Sequence, residues 1–147
     1  MASPSVTVPL LASLLLASSP ANPEPPAQAA EFVSRFTAIA QARATPSDVD
    51  RFLELCTDDV VYEHPRVSAI IRGKAEVRKG LLGHLGDTRG DRTRLVEWLQ
   101  GPNVLTLRIE RAFEVRDGEV WKPVRRGSVF VLDLDPSGRI RRILDFW

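Results

Sequence analysis

Val104-Leu105-Thr106-Leu107-Arg108-Ile109-Glu110-Arg111-Ala112-Phe113-Glu114-Val115 reads as one long β-strand. Side chains alternate across a strand, so Thr106, Arg108 and Glu110 point to one side while Leu105, Leu107 and Ile109 point to the other. An arginine and a carboxylate two residues apart on one face can bridge to each other or share a third group. The natural third group is Asp145, in the last strand. A strand with charges on one face and aliphatics on the other is most simply half solvated, so an acid–cation–acid cluster needs support from the rest of the chain.

Turn signals set this strand in a meander. Gly101-Pro102-Asn103 closes a preceding strand at Arg94–Gln100, and Asp117-Gly118 is a strong hairpin signal. A long strand comes next at Glu119–Leu134, and Asp135-Pro136-Ser137-Gly138 turns into the last, Arg139–Trp147. Upstream, Phe32, Phe36, Ile39 and Ala40 recur at helical spacing and predict a helix over Glu31–Ala44. Ser47 reads as the N-cap of a second helix running to Cys56. Asp58–His64 changes period and predicts a strand that puts Tyr62 and His64 on one face. Gly73–Leu85 predicts a third helix. Helices followed by antiparallel strands make an α+β domain, with helices covering one face of a curved sheet to form a cone-shaped pocket. On that scaffold the polar side chains of Val104–Val115 point into the cone. The aliphatic side then packs against a second copy, and a homodimer is expected.

Twenty basic residues against nineteen acidic ones leave no electrostatic footprint for nucleic acid. Cys56 is the lone cysteine, which excludes an internal disulfide and a cysteine-based metal cluster. The histidines, His64 and His84, are too few for a histidine-rich metal site.

Residues 1–29 differ from the remainder of the chain. They hold no Lys or Arg, a short apolar run at Val8–Ala17, and a Pro-rich stretch to Pro26. Ala27-Gln28-Ala29 fits the small-x-small pattern of a signal-peptidase site, with Ala30 as the first mature residue. The apolar run is too short to span a bilayer. Secretion or periplasmic export is therefore expected, with a cytoplasmic location as the alternative, and residues 30–147 form a single domain with no membrane association.

The order helix–helix–strand–helix–meander resembles the nuclear-transport-factor-2-like cone fold shared by SnoaL-like cyclases and ketosteroid isomerases. Within that superfamily the chain looks most like the limonene-1,2-epoxide hydrolase branch. The likeness spans about Glu31 to Trp147 and is sharpest at Val61-Tyr62-Glu63-His64-Pro65, Arg108-Ile109-Glu110 and Leu144-Asp145-Phe146. Tyr62 falls on a family tyrosine and His64 replaces an asparagine; with an aspartate these hold the attacking water. Arg108 matches the arginine of Arg-x-Asp, and Glu110 stands at its aspartate. The resemblance implies cofactor-independent opening of a small apolar epoxide to a vicinal diol. Asp145 would be the base, Glu110 the acid, Arg108 the bridge between them, and Tyr62 with His64 the groups that aim the water. It also leaves open a SnoaL-like isomerase or cyclase that shuttles protons in the same pocket, with His64 as an alternative base. A third reading is a binding domain that holds a hydrophobic ligand without chemistry.

Overall fold

The computed structural model describes residues 23–147. The apolar run Val8–Ala17 and most of the leader lie outside them. The element order is α1 (Ala27–Ile39), α2 (Pro46–Leu53), β1 (Cys56–His64), a 3-10 turn at Pro65–Val67, β2 (Ala69–Arg72), α3 (Lys74–Gly83), β3 (Thr88–Gly101), β4 (Val104–Asp117), β5 (Val120–Leu134) and β6 (Ile140–Phe146). The α+β architecture is as the sequence implies: three helices on one face of a curved six-stranded sheet, ordered β2-β1-β6-β5-β4-β3.

Each boundary has a local cause. Thr45, not Ser47, caps α2: Asp48 Oδ2 accepts from the Thr45 backbone N–H and hydroxyl, both at 2.8 Å, and Pro46 occupies the first helical position. Gly118 takes a φ of +62° and closes the β4–β5 hairpin, which pairs in unbroken register from Val104↔Asp133 to Asp117↔Val120. The segment before Arg72, which carries no clear signal of its own, contains β2. Ser68, at φ 54°, turns the chain back so that Ala69–Arg72 pairs antiparallel with β1. Strands β1 and β6 run parallel, and this pairing sets the last strand beside the first.

Sheet register decides which side chains meet the helices. Asp145 stands opposite Phe130, and Phe130 opposite Leu107. The odd-numbered residues of β4 therefore share a face with Asp145, and that face is the core. Leu105, Leu107 and Ile109 are buried there with Phe130, Leu132 and Ile143 beneath Phe32, Phe36 and Phe52. Phe32 and Phe36 meet the Phe130 ring edge-on at 5.1 and 5.0 Å between centroids. This corrects the expected orientation of β4. Its aliphatic side packs against the chain's own helices and is not free to meet a second copy, while Thr106, Arg108 and Glu110 face away from the cone. The inversion has a simple cause, since helices with apolar stripes take the apolar side of the sheet.

Helix α1 also starts earlier than Glu31. Ala27-Gln28-Ala29, whose sequence reads as a processing site, forms its first turn, and Ala29 is fully buried. No helix among the described residues is long and apolar enough to cross a membrane.

Candidate active site

Beneath α3, between its inner face and the sheet, lies a hollow of about 480 Å³. Tyr62 and His64 reach it from the end of β1, Arg111 from β4, Arg126 and Ser128 from β5, and Asp145 and Trp147 from the C-terminal strand and its end. Ile71, Val77 and Leu81 supply apolar wall.

Asp145 is the chemical centre. It is 5% exposed. Its Oδ2 accepts a 3.0 Å hydrogen bond from the Tyr62 hydroxyl, while its Oδ1 is buried without a hydrogen-bond partner. A carboxylate stripped of water and half bonded disfavours its charge. Burial accordingly raises the Asp145 pKa above the usual aspartate value, opposed by His64, the Tyr62 hydrogen bond, Arg111 and Arg126. Burial and the neighbouring Asp145 push the Tyr62 phenol well above its ordinary value, so it remains a neutral donor.

His64 is fixed from its other side. The Trp147 indole N–H donates to His64 Nδ1 at 3.1 Å, which makes that nitrogen an acceptor and assigns the ring proton to Nε2. The same Nδ1 lies 3.6 Å from Asp145 Oδ2, so in this tautomer two lone-pair-bearing atoms face each other without a hydrogen bond.

Two arginines enter the hollow from positions opposite each other in the sheet, Arg111 and Arg126. Arg111 is neutralised by Asp91, whose side chain is fully buried: Arg111 Nε donates to Asp91 Oδ2 at 3.0 Å, and Nη2 donates to the same oxygen. Thr93 hydrogen-bonds the other Asp91 oxygen at 3.0 Å. Arg126 lies against the Trp147 and Phe113 rings, 5.0 and 5.8 Å from their centroids.

The structure thus brings Tyr62, His64 and Asp145 together and leaves Arg108 and Glu110 elsewhere. Those two lie on the outer face, half exposed, as cross-strand ion pairs: Arg108 Nε with Glu97 at 2.9 Å, and Glu110 with Arg94 at 2.6 Å. Neither touches Asp145. The hydrogen bond from Arg94 holds the Glu110 carboxyl below its usual pKa, the reverse of what an acid needs. The sequence does carry a signal for Arg111, the β4 cation that faces the cone. Odd positions of β4 run Leu105, Leu107, Ile109, Arg111, Phe113, and the one charge in that apolar row is the one inside. Cys56 is a core residue, with burial pushing its thiol to about 11. Among the described residues, no cluster of His, Cys, Asp and Glu could hold a metal ion.

The sequence model of a SnoaL-like domain matches residues 27–143. Solved structures of the same fold include a protein with a ketosteroid isomerase-like fold from Catenulispora acidiphila. It is 10% identical, covers 84% of this chain and 87% of its own, and has a TM-score of 0.67. A putative SnoaL-like polyketide cyclase from Shewanella denitrificans is 10% identical over 81% of this chain and 86% of its own, with a TM-score of 0.68. An epoxide hydrolase of the limonene-epoxide-hydrolase-like type from M. tuberculosis is 20% identical over 81% of this chain and 84% of its own, with a TM-score of 0.57. Identities this low speak for the fold alone. Among curated proteins none matches.

Proposed function

We propose a function from one premise: the chain belongs to the SnoaL-like domain family. It acts as an enzyme of the isomerase or cyclase type, moving a proton on a small, largely apolar carbonyl compound through Asp145. The observation that carries this is the state of that carboxylate, which is buried, half bonded and set in the wall of a hollow whose α3 side is apolar. Interiors rarely keep such a group without a use for it. Burial raises its pKa above the ordinary aspartate value, which makes it a stronger base than a solvated carboxylate.

The step balances without a further reagent. The C–H bond beside the carbonyl breaks, its electron pair passes into the enolate, and the proton goes to Asp145. Where the substrate carries a β,γ double bond, the enolate is a conjugated dienolate, and return of the proton from Asp145 at the γ-carbon gives isomerisation. Attack of the enolate carbon on a second carbonyl of the same molecule gives ring closure, with the Asp145 proton passing to the alkoxide that forms. Tyr62, neutral throughout, holds the carboxylate oxygen in place.

Opening of an epoxide by water is the second reading. Its support is the convergence of Tyr62, His64 and Asp145 at one end of the hollow, an arrangement that can orient a water molecule. It ranks second because Glu110, the acid that would protonate the departing oxygen, lies on the outer face. As for self-association, we propose that two copies meet through that outer face, where Leu99 and Phe146 are exposed. Leu99→Glu with Phe146→Ser should then sediment as a monomer.

The discriminating experiment incubates the protein in deuterated water with cyclic and open-chain ketones, and separately in oxygen-labelled water with epoxides. Deuterium entry beside the carbonyl, abolished in Asp145→Asn, is the expected result. Labelled diol without exchange would move the assignment to hydrolysis, and neither product would leave a binding domain.

A further inference from the structure

The hollow holds a second group without a partner. Arg111 and Arg126 stand directly opposite each other on β4 and β5, and like charges in such a pair repel unless compensated. Arg111 is compensated by Asp91. Arg126 has no carboxylate within ion-pair distance and no hydrogen-bond acceptor among the described residues; only the Trp147 and Phe113 rings lie against it. Asp145, the carboxylate in the same wall, is anchored on Tyr62 and makes no ion pair with it. Ser128, two residues along β5 and on the same face, sets a hydroxyl on this wall.

A guanidinium kept in an aromatic-walled hollow, with its forked donors unused, is suited to planar two-oxygen acceptors. We infer that the hollow binds an apolar carboxylic acid, its carboxylate on Arg126 with Ser128 beside it and its apolar body against Ile71, Val77 and Leu81. Joined to the proton transfer proposed above, on which this step rests, the substrate class becomes an oxo acid: the carboxylate fixes the molecule while the C–H beside the carbonyl faces Asp145. The enzyme that supplies the substrate must then leave a free carboxylate, by hydrolysing an ester or thioester, for instance.

An alternative anion site exists and has to be separated. An outer hollow of about 600 Å³ is lined by Arg92, Arg94, Arg108 and Arg125, and Arg111, Arg126 and Ser128 border both hollows. Binding without turnover tells the two apart and is independent of the catalytic proposal. Calorimetric titration at low salt would compare 4-phenylbutanoate with its neutral amide, which has the same shape. The carboxylate should bind at least ~10-fold more tightly, the scale of a hydrogen bond to a charged group. Arg126→Gln should remove that preference, Arg126→Lys should restore part of it, and Arg125→Gln and Asp145→Asn should keep it, with all variants checked for native circular dichroism. Equal affinity for acid and amide, no binding of the acid at millimolar concentration, or loss of the preference in Arg125→Gln overturns the proposal. Persistence of the preference in Asp145→Asn while exchange chemistry is absent from the wild type would sink the catalytic reading and leave this one standing.

Discussion

Tyr62 and Asp145 stand on neighbouring parallel strands, 83 residues apart in the chain, and the tyrosine hydroxyl donates to the aspartate Oδ2 at 3.0 Å. That bond satisfies half of the carboxylate; the other half has nothing. Such a site is expected to cost stability. Burial raises the folded pKa of Asp145 above its unfolded value. Its contribution is therefore fully present below the ordinary aspartate pKa and is lost as pH rises through the raised folded value. Asp145→Asn cannot ionise and can still accept from Tyr62. Its melting temperature should exceed that of the wild type by a few degrees at pH 8, and the two should converge toward pH 3. Calorimetric scans across that range test this, and a gap independent of pH would mean that the carboxylate is not strained by burial.

Trp147 fixes the His64 ring through its Nδ1. In Trp147→Phe the ring stays to cover Arg126, but Nδ1 loses its donor and the imidazole is free to turn away from Asp145, 3.6 Å distant. The variant should lose about tenfold in proton-transfer rate through lost positioning, with a melting temperature within a few degrees of the wild type's. A rate within about twofold of the wild type's would assign Trp147 to packing alone.

Glu110→Gln and Arg108→Gln should each leave turnover within about twofold, because both side chains lie on the outer face in solvent-screened pairs. A loss of ~10²-fold, as expected for a general acid, would restore the epoxide-opening arrangement and unseat the face assignment.

That assignment marks the limit of what is legible in the sequence. The strands read at Val104–Val115 and Glu119–Leu134 come from alternation and the Asp117-Gly118 turn, both local properties of the chain, and they match the observed Val104–Asp117 and Val120–Leu134 to within two residues. Alternation puts Tyr62 and His64 on one face of β1, but their link to Asp145 is legible only through the family resemblance of Val61-Tyr62-Glu63-His64-Pro65 and Leu144-Asp145-Phe146, because the parallel β1–β6 pairing that joins them has no local signal. Which side of β4 faces inward is not a local property. It depends on which side the helices cover, and the apolar row Leu105, Leu107, Ile109 settles that once it is weighed against Phe32 and Phe52 instead of against a second copy. Strand β2 escapes a reading of the sequence for a related reason. Four residues with a left-handed serine before them form a strand only because β1 presents an open edge.

Asp91→Asn tests the outer end of the arginine pair. Asp91 accepts from both Arg111 and Thr93 in a site closed to solvent, and its removal strands the Arg111 charge. Loss of one partner from a buried pair typically costs about 3 kcal/mol or more, while replacing both by apolar groups is far milder. Urea unfolding should show that loss in Asp91→Asn and recover most of it in Asp91→Leu with Arg111→Met. A single-variant cost under about 1 kcal/mol would place the pair at the surface energetically.

Helix α1 gives the last prediction, because its first turn overlaps the sequence pattern of a processing site. The Pro26 carbonyl accepts from the N–H groups of Ala29 and Ala30, Ala29 is buried, and Gln28 Nε2 donates to the Gly138 carbonyl at 2.5 Å. Gly138 is matched to that contact, since a Cβ there would stand 2.8 Å from Gln28 Nε2 and its φ of +86° suits glycine. A chain beginning at Ala30 loses the whole turn, including the hydrogen bond from Gln28 to Gly138 and one buried side chain. It should unfold about 1–2 kcal/mol more easily than one beginning at Pro23. If the chain is exported, terminal sequencing of the secreted protein should therefore find a first residue before Ala27. Recovery of an Ala30 terminus with unchanged stability would show that the turn contributes nothing and that the small-x-small pattern is used as it reads.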